Sequence, residues 1–183
     1  MVRACAIHKS LRLPFAPVGV YKGASLLYGM PFTWSSAMWQ KLVGTSNDFS
    51  LTILRVVLGA VFFAHGSQKM LGWFGGYGFS GTMHFFTGMM HIPAFFAFLA
   101  IAAEFFGGIG LIIGFLSRIA ALGIMINMIV AVALVHRHFG FFMNWTGMQK
   151  GEGFEYHLLA IAICIAVLVR GAGALSVDRS LTK

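Results

Sequence analysis

Four ionisable side chains lie inside strongly apolar stretches of the sequence, where a charge is costly. Glu104 lies in the middle of the apolar segment 93–115. Arg55, His65 and Lys69 belong to another apolar segment, and at about 100° per residue they share one face of a helix. An ionisable group inside a membrane needs a partner or a purpose, such as proton exchange. We therefore expect Glu104 to meet this face through Arg55 or His65.

Two uncharged polar residues extend the candidate site. Asn127 is spaced by four residues from Gly123 and from Ala131, so it projects from a face of small residues toward a neighbouring helix. The alternative is that these side chains only fix helix packing. Interhelical hydrogen bonds in membranes contribute about 0.6 kcal/mol on average, a weak reason to bury charge. We favour a functional polar site composed of Arg55, His65, Gln68, Lys69, Glu104 and Asn127.

Most of the histidines are expected at the outer ends of the apolar segments. Imidazoles can ligate metals or relay protons, so His136, His157 and nearby Glu155 are candidates for an outer mouth. No HxxxH spacing occurs within a helical segment, and no metal site is predicted. Cys5 and Cys164 form no CxxC pair, which argues against dithiol chemistry.

The composition defines the elements that must position these residues. Only 10% of the 183 residues are charged, 58% are hydrophobic, and the mean hydropathy is +0.83. A soluble domain has about 25% charged residues, so a soluble enzyme is excluded. A net charge of +8 does not indicate nucleic-acid binding, because cytoplasmic Lys and Arg of a membrane protein give the same value. The continuous apolar runs predict an all-α, polytopic four-helix membrane bundle, with helices at about 51–71, 93–115, 119–135 and 154–171.

The distribution of basic residues predicts the orientation. With the N-terminus inside, nine Lys and Arg residues fall on the cytoplasmic side and three on the outer side, which favours two cytoplasmic termini. Residues 1–50 precede the bundle of residues 51–183 and carry no acid before Asp48. We expect a basic cytoplasmic tail or a start assigned too early, with Met30 and Met38 available. The composition also has some character of a transit peptide.

Short motifs recur in order along residues 50–181. They are RVVLG at 55–59, AHGSQK at 64–69, GWFGG at 72–76 with Gly81-Thr82, AEFFGG at 103–108, GFLSR at 114–118 and GAGALSVD at 171–178. Together these motifs resemble the DoxX family. The departures are Tyr77 and Ala172, which stand where related sequences often carry proline.

The resemblance implies a small four-helix protein of the inner membrane. Founding members of that family look like subunits of archaeal terminal quinol oxidase and thiosulfate:quinone oxidoreductase systems, and some relatives associate with thiol-redox and superoxide-protection proteins. The expected function is therefore an accessory subunit of a quinone-linked or oxidative-stress redox system. The sequence has no flavin, haem or iron–sulfur motif, so electrons would have to come from partner subunits. The cofactor is left open, with a quinone as a candidate. Two alternative functions stay open, a small-molecule carrier or channel and a membrane scaffold. The oligomeric state also stays open, with a homo-oligomer as one alternative.

Overall fold

The computed structural model describes residues 33–182, and this part of the chain is helical without a strand. Of the predicted tail, residues 1–32 lie outside the described residues, and a helix occupies 33–43. The helices are α1 Thr33–Val43, α2 Phe49–Leu71, α3 Gly78–His84, α4 Ala94–Ile113, α5 Ser117–Leu134, α6 Glu155–Arg170 and α7 Val177–Leu181.

Helices α2, α4, α5 and α6 form the bundle, and each begins and ends within two residues of a predicted segment. Helix α2 packs on α4, α4 on α5 and α5 on α6, and α6 returns to α2. Within residues 33–182, three helices, α2, α4 and α5, are long and apolar enough to cross a membrane. The 16 residues of α6 span about 24 Å, which is short for a bilayer core of about 30 Å. The core contains Leu58, Phe62, Leu111, Ala121, Ile124, Met128, Ala160, Cys164 and Val167.

Two glycines bring the backbones of α2 and α4 into contact. A Cβ atom at Gly66 would lie 2.5 Å from the backbone nitrogen of Phe105, and one at Gly108 would lie 2.5 Å from that of Phe63. Any side chain there would push the helices apart, so these positions require glycine because of the close approach. The contact at Gly66 also fixes α2 at the level of Glu104.

At the end of the bundle where α2 and α5 begin, charged side chains form hydrogen bonds with the backbone. Asp48 caps α2 by accepting from the backbone of Ser50 at 2.9 Å. Buried Asp178 accepts from the backbone nitrogens of Leu116 (2.7 Å) and Ser117 (2.9 Å), where α5 begins. Arg118 donates to carbonyl oxygens at the C-terminal ends of α1 and α6. We call this the capped end of the bundle.

Candidate functional site

Glu104 lies near the middle of α4, is 5% exposed and accepts hydrogen bonds from two other helices. Lys69 of α2 forms an ion pair with its Oε2 atom, and Asn127 of α5 donates to its Oε1 atom at 2.7 Å. Both oxygens of the buried carboxylate therefore have a partner. The structure thus brings together three of the predicted site residues, Lys69, Glu104 and Asn127.

The direction of side chains on a helix explains why Lys69 reaches Glu104. Lys69 lies two residues before the end of α2, one turn beyond the level of Gly66. The Cα–Cβ bond of a helical residue tilts toward the N-terminus, so the lysine side chain extends back to the level where Gly66 contacts α4. That level is the level of Glu104.

Arg55 does not meet Glu104, which corrects the expectation from the sequence. Its guanidinium is 1% exposed and donates to Ala172 O at 2.8 Å, Ile112 O at 2.9 Å, Leu175 O at 2.6 Å and also Leu111 O. The separation of 14 positions between Arg55 and Lys69 corresponds to about 21 Å of helix, so a shared face does not bring them to the same depth. Arg55 belongs to the capped end and satisfies the last carbonyls of α4.

His65 and Gln68 lie near the ion pair without bonding to Glu104. The side chain of His65 is exposed, and its ring centroid lies 6.5 Å from that of Tyr156 in α6. The expectation that His65 partners Glu104 is therefore wrong, since α2 turns it toward α6. Gln68 donates to Phe74 O at 3.4 Å and borders a pocket next to Lys69.

An open pocket of about 270 Å³ lies beside Lys69, between the end of α2 and the α3 region. Its lining includes the ion-paired lysine, whose side chain is 28% exposed. The rest of the lining combines aromatic rings, two hydroxyls, one amide and glycine backbone. The lining residues are Gln68, Lys69, Gly75, Gly76, Tyr77, Thr82, Phe85 and Phe86.

Two irregular backbone segments shape this pocket. Residues Phe85–Met89 form a π-helical turn, a feature that often occurs at functional sites. Phe74 has a φ angle of 52°, in the left-handed region that non-glycine residues rarely adopt. Gly76 packs so closely on the backbone of Gln68 that no Cβ fits there. Thr82, Phe85 and Phe86 are not among the predicted site residues, although the glycines at 72–76 mark the turn that precedes them.

The candidates for the outer mouth separate into two groups. His136 and His157 lie together, with ring centroids 4.0 Å apart, and His157 is buried. Glu155 instead organises the loop before α6, because its Oε1 atom accepts from the backbone of Met143 (2.9 Å) and from Trp145 Nε1 (3.0 Å). Glu155 is therefore a structural residue of the loop.

The chain also has recognisable relatives. The family model of DoxX matches residues 50–137. A Bacillus subtilis protein named "Putative oxidoreductase CatD" is 30% identical over 122 residues, which cover 67% of this chain and 81% of that protein. "Inner membrane protein YqjF" of Escherichia coli is 29% identical over 137 residues, 75% of this chain and 95% of that protein. No solved structure matches the chain significantly.

The apolar helices and the buried ion pair define a multi-pass membrane protein of the inner membrane whose helices contact the lipid bilayer. The chain belongs to the DoxX family, as the motifs in its sequence indicate.

Proposed function

We propose that this protein is an accessory subunit of a membrane redox system and binds the head group of a quinone in the pocket beside Lys69. The observation that carries the proposal is the position of Lys69, which lines the pocket and forms an ion pair with buried Glu104. A ligand in the pocket would thus lie next to a proton donor that is backed by a buried carboxylate.

The chemistry of the walls fits a flat ring that carries carbonyl oxygens. Phe85, Phe86 and Tyr77 supply aromatic surface for stacking, while the Lys69 ammonium and the Thr82 hydroxyl can donate to carbonyl oxygens. The volume of about 270 Å³ suits one substituted ring and leaves the isoprenoid tail in the lipid. Lys69 can give a proton to the ring, and Glu104, which is ionised in the pair, can take up another proton and pass it to the neutral amine.

The electrons would come from a partner redox protein, since the sequence holds no flavin, haem or iron–sulfur motif. The relative named as an oxidoreductase supports a redox role for this chain as well. A second copy of the chain would be a further partner, in a homo-oligomer. A carrier that uses the same pair would bind a ligand without any preference for quinones.

Replacement of Lys69 by methionine is expected to weaken binding of ubiquinone-1 about tenfold, because one charge-assisted hydrogen bond to a ring carbonyl is lost. The measurement is calorimetric titration of the protein in nanodiscs, with empty nanodiscs subtracted. Lys150→Met is the matched control, because Lys150 is exposed in the loop before α6.

Two outcomes would contradict the binding proposal. Equal affinity of wild-type protein and Lys69→Met for ubiquinone-1 would remove Lys69 from the site. Equal affinity of wild-type protein for ubiquinone-1 and for its ring-methoxylated analogue without carbonyl oxygens would show that the pocket binds any aromatic ring, as expected of a nonspecific carrier.

The same proposal includes four membrane crossings with both termini in the cytoplasm, α6 being the fourth, and a basic tail at 1–50 before the membrane domain. The charge distribution supports this arrangement. Alkaline phosphatase fused after Lys183 is expected to be inactive, and fused within residues 75–90 it is expected to be active, because the enzyme folds only outside the cytoplasm. The reverse pattern would refute the orientation.

A further inference from the structure

Four aromatic rings form a row on the α6 side of the bundle, away from the pocket on the α3 side. The row begins at His65 of α2, whose ring centroid lies 6.5 Å from that of Tyr156. The next centroid distance is 5.5 Å, from Tyr156 to His157 of α6. The last is 4.0 Å, from His157 to His136 in the short 3₁₀ turn after α5.

Two polar atoms in this row, on neighbouring residues of α6, are buried without a hydrogen-bond partner in the protein. They are the Nδ1 atom of His157, whose residue is 5% exposed, and the hydroxyl oxygen of Tyr156. Leaving such an atom unpaired is costly, and in native proteins ordered water usually satisfies it. Two such atoms on neighbouring residues indicate a place that holds water.

The row reaches the loop before α6 on one side and the level of Glu104 on the other. His136 is half-buried, and its Nδ1 atom contacts Glu152 O at 2.8 Å in the exposed loop before α6. On the other side, Tyr156 lies beside His65, the neighbour of Gly66, where α2 contacts the backbone of Glu104. The remaining groups that face Glu104 are Lys69 and Asn127.

The geometry of the two histidines does not suit a metal ion. Nitrogen ligands at about 2.1 Å from a tetrahedral ion place ring centroids about 5 Å apart, and those of His136 and His157 are closer. Among the described residues, no third His, Cys, Asp or Glu completes a metal-binding group. Imidazole and phenol groups with water between them suit proton transfer instead.

We infer that His136, His157 and Tyr156 form a hydrated path that carries protons between the loop at residues 140–154 and Glu104. This inference rests on the proposed role of Glu104 as a proton site. Each proton that Lys69 gives to the ligand is replaced by one that enters at His136 and reaches the lysine through the Glu104 carboxylate, so no charge accumulates along the path. Ligand and protons would then reach the ion pair from different sides of α2.

The first test measures access of water by the reactivity of cysteines. His157→Cys is made in a chain with Cys5→Ser and Cys164→Ala, and its reaction with a charged methanethiosulfonate reagent is followed in nanodiscs. The reference is native Cys164 in a Cys5→Ser chain, since Cys164 is fully buried two turns further along α6. We expect position 157 to react at least about tenfold faster, because only a hydrated thiol ionises readily. Equally slow reaction at both positions would overturn the inference.

The second test measures the connection to Glu104 by ¹⁵N resonances of labelled histidine side chains. Glu104→Gln is expected to shift the resonance of His157 and to leave that of exposed His138 unchanged. In a Tyr156→Phe background, the same change at Glu104 is expected to have no effect on His157. An unchanged His157 resonance in the Glu104→Gln protein would contradict the proposed connection between His157 and Glu104.

Both tests are performed without quinone, so they separate the two proposals. Thiol reactivity and histidine coupling in a protein that does not bind ubiquinone-1 would support the proton path and refute the proposal of quinone binding. Quinone binding without either signal would support the binding pocket and refute the proton path. Gel filtration and thermal unfolding of each variant confirm that the protein measured is folded.

Discussion

Arg55→Leu is expected to abolish the folded bundle. The substitution removes the donors of four carbonyl oxygens, on Leu111, Ile112, Ala172 and Leu175. An unpaired buried acceptor costs about 1–3 kcal/mol, so the total loss approaches the 5–15 kcal/mol by which a typical protein is stable. Thermal unfolding in detergent, together with gel filtration, measures the loss.

Two comparisons define the result for Arg55. Arg137→Leu is the matched control, because Arg137 is exposed and is expected to change the free energy of unfolding by less than about 0.5 kcal/mol. Arg55→Lys keeps the charge but lacks the planar fork that reaches two segments at once, so intermediate stability is expected. A monodisperse Arg55→Leu protein with the melting temperature of wild type would contradict this account of the capped end.

The second large effect concerns the ion pair in the bundle. Lys69→Leu alone leaves the buried carboxylate of Glu104 with Asn127 as its remaining partner. Breaking a buried pair costs about 3–5 kcal/mol, and we expect the lower part of that range because Lys69 is 28% exposed. Replacing both Lys69 and Glu104 by leucine is expected to restore stability, since no charge is then left unpaired.

Function separates the two interpretations of this pair. The stable double variant is expected to bind ubiquinone-1 at least about tenfold more weakly than wild type, because both proton-active groups are gone. A stable double variant with unchanged quinone binding would show that the pair only fixes helix packing. The surface pair of Arg170 and Asp48, at 3.6 Å, gives a matched cycle with Arg170→Met and Asp48→Asn, for which a coupling of at most about 1 kcal/mol is expected.

The sequence predicted the helices well because hydrophobic length and proline or glycine boundaries are local properties. Pro93 precedes α4, and Gly72 ends α2 with a φ angle of 76°. It also predicted that Glu104 lies among polar partners, since a carboxylate in an apolar helix requires them. Periodicity gives the angular position of a residue on a helix, however, and the depth at which two helices face each other depends on the contact at Gly66.

The pocket and the acceptors of Arg55 could not be predicted from the sequence, for a different reason. The pocket depends on the left-handed conformation of Phe74 and on the π-helical turn at 85–89, which no hydrophobic pattern encodes. The hydrogen bond from Arg55 to Leu175 joins residues 120 positions apart, and such pairing follows from the assembled bundle. Tyr156 is a candidate for proton transfer because α6 places its ring between those of His65 and His157, which the sequence does not predict.

The hydrogen bonds of Arg55 also bear on how the protein is made. Two of its four acceptors, Ala172 and Leu175, are synthesised more than one hundred residues after Arg55 itself. During insertion, α2 therefore enters the membrane with an arginine whose partners do not yet exist. The nascent chain must keep this charge hydrated at the interface until translation reaches Leu175. A chain released before residue 172 would lack two of the four acceptors of this buried cation, and its bundle is expected to be less stable.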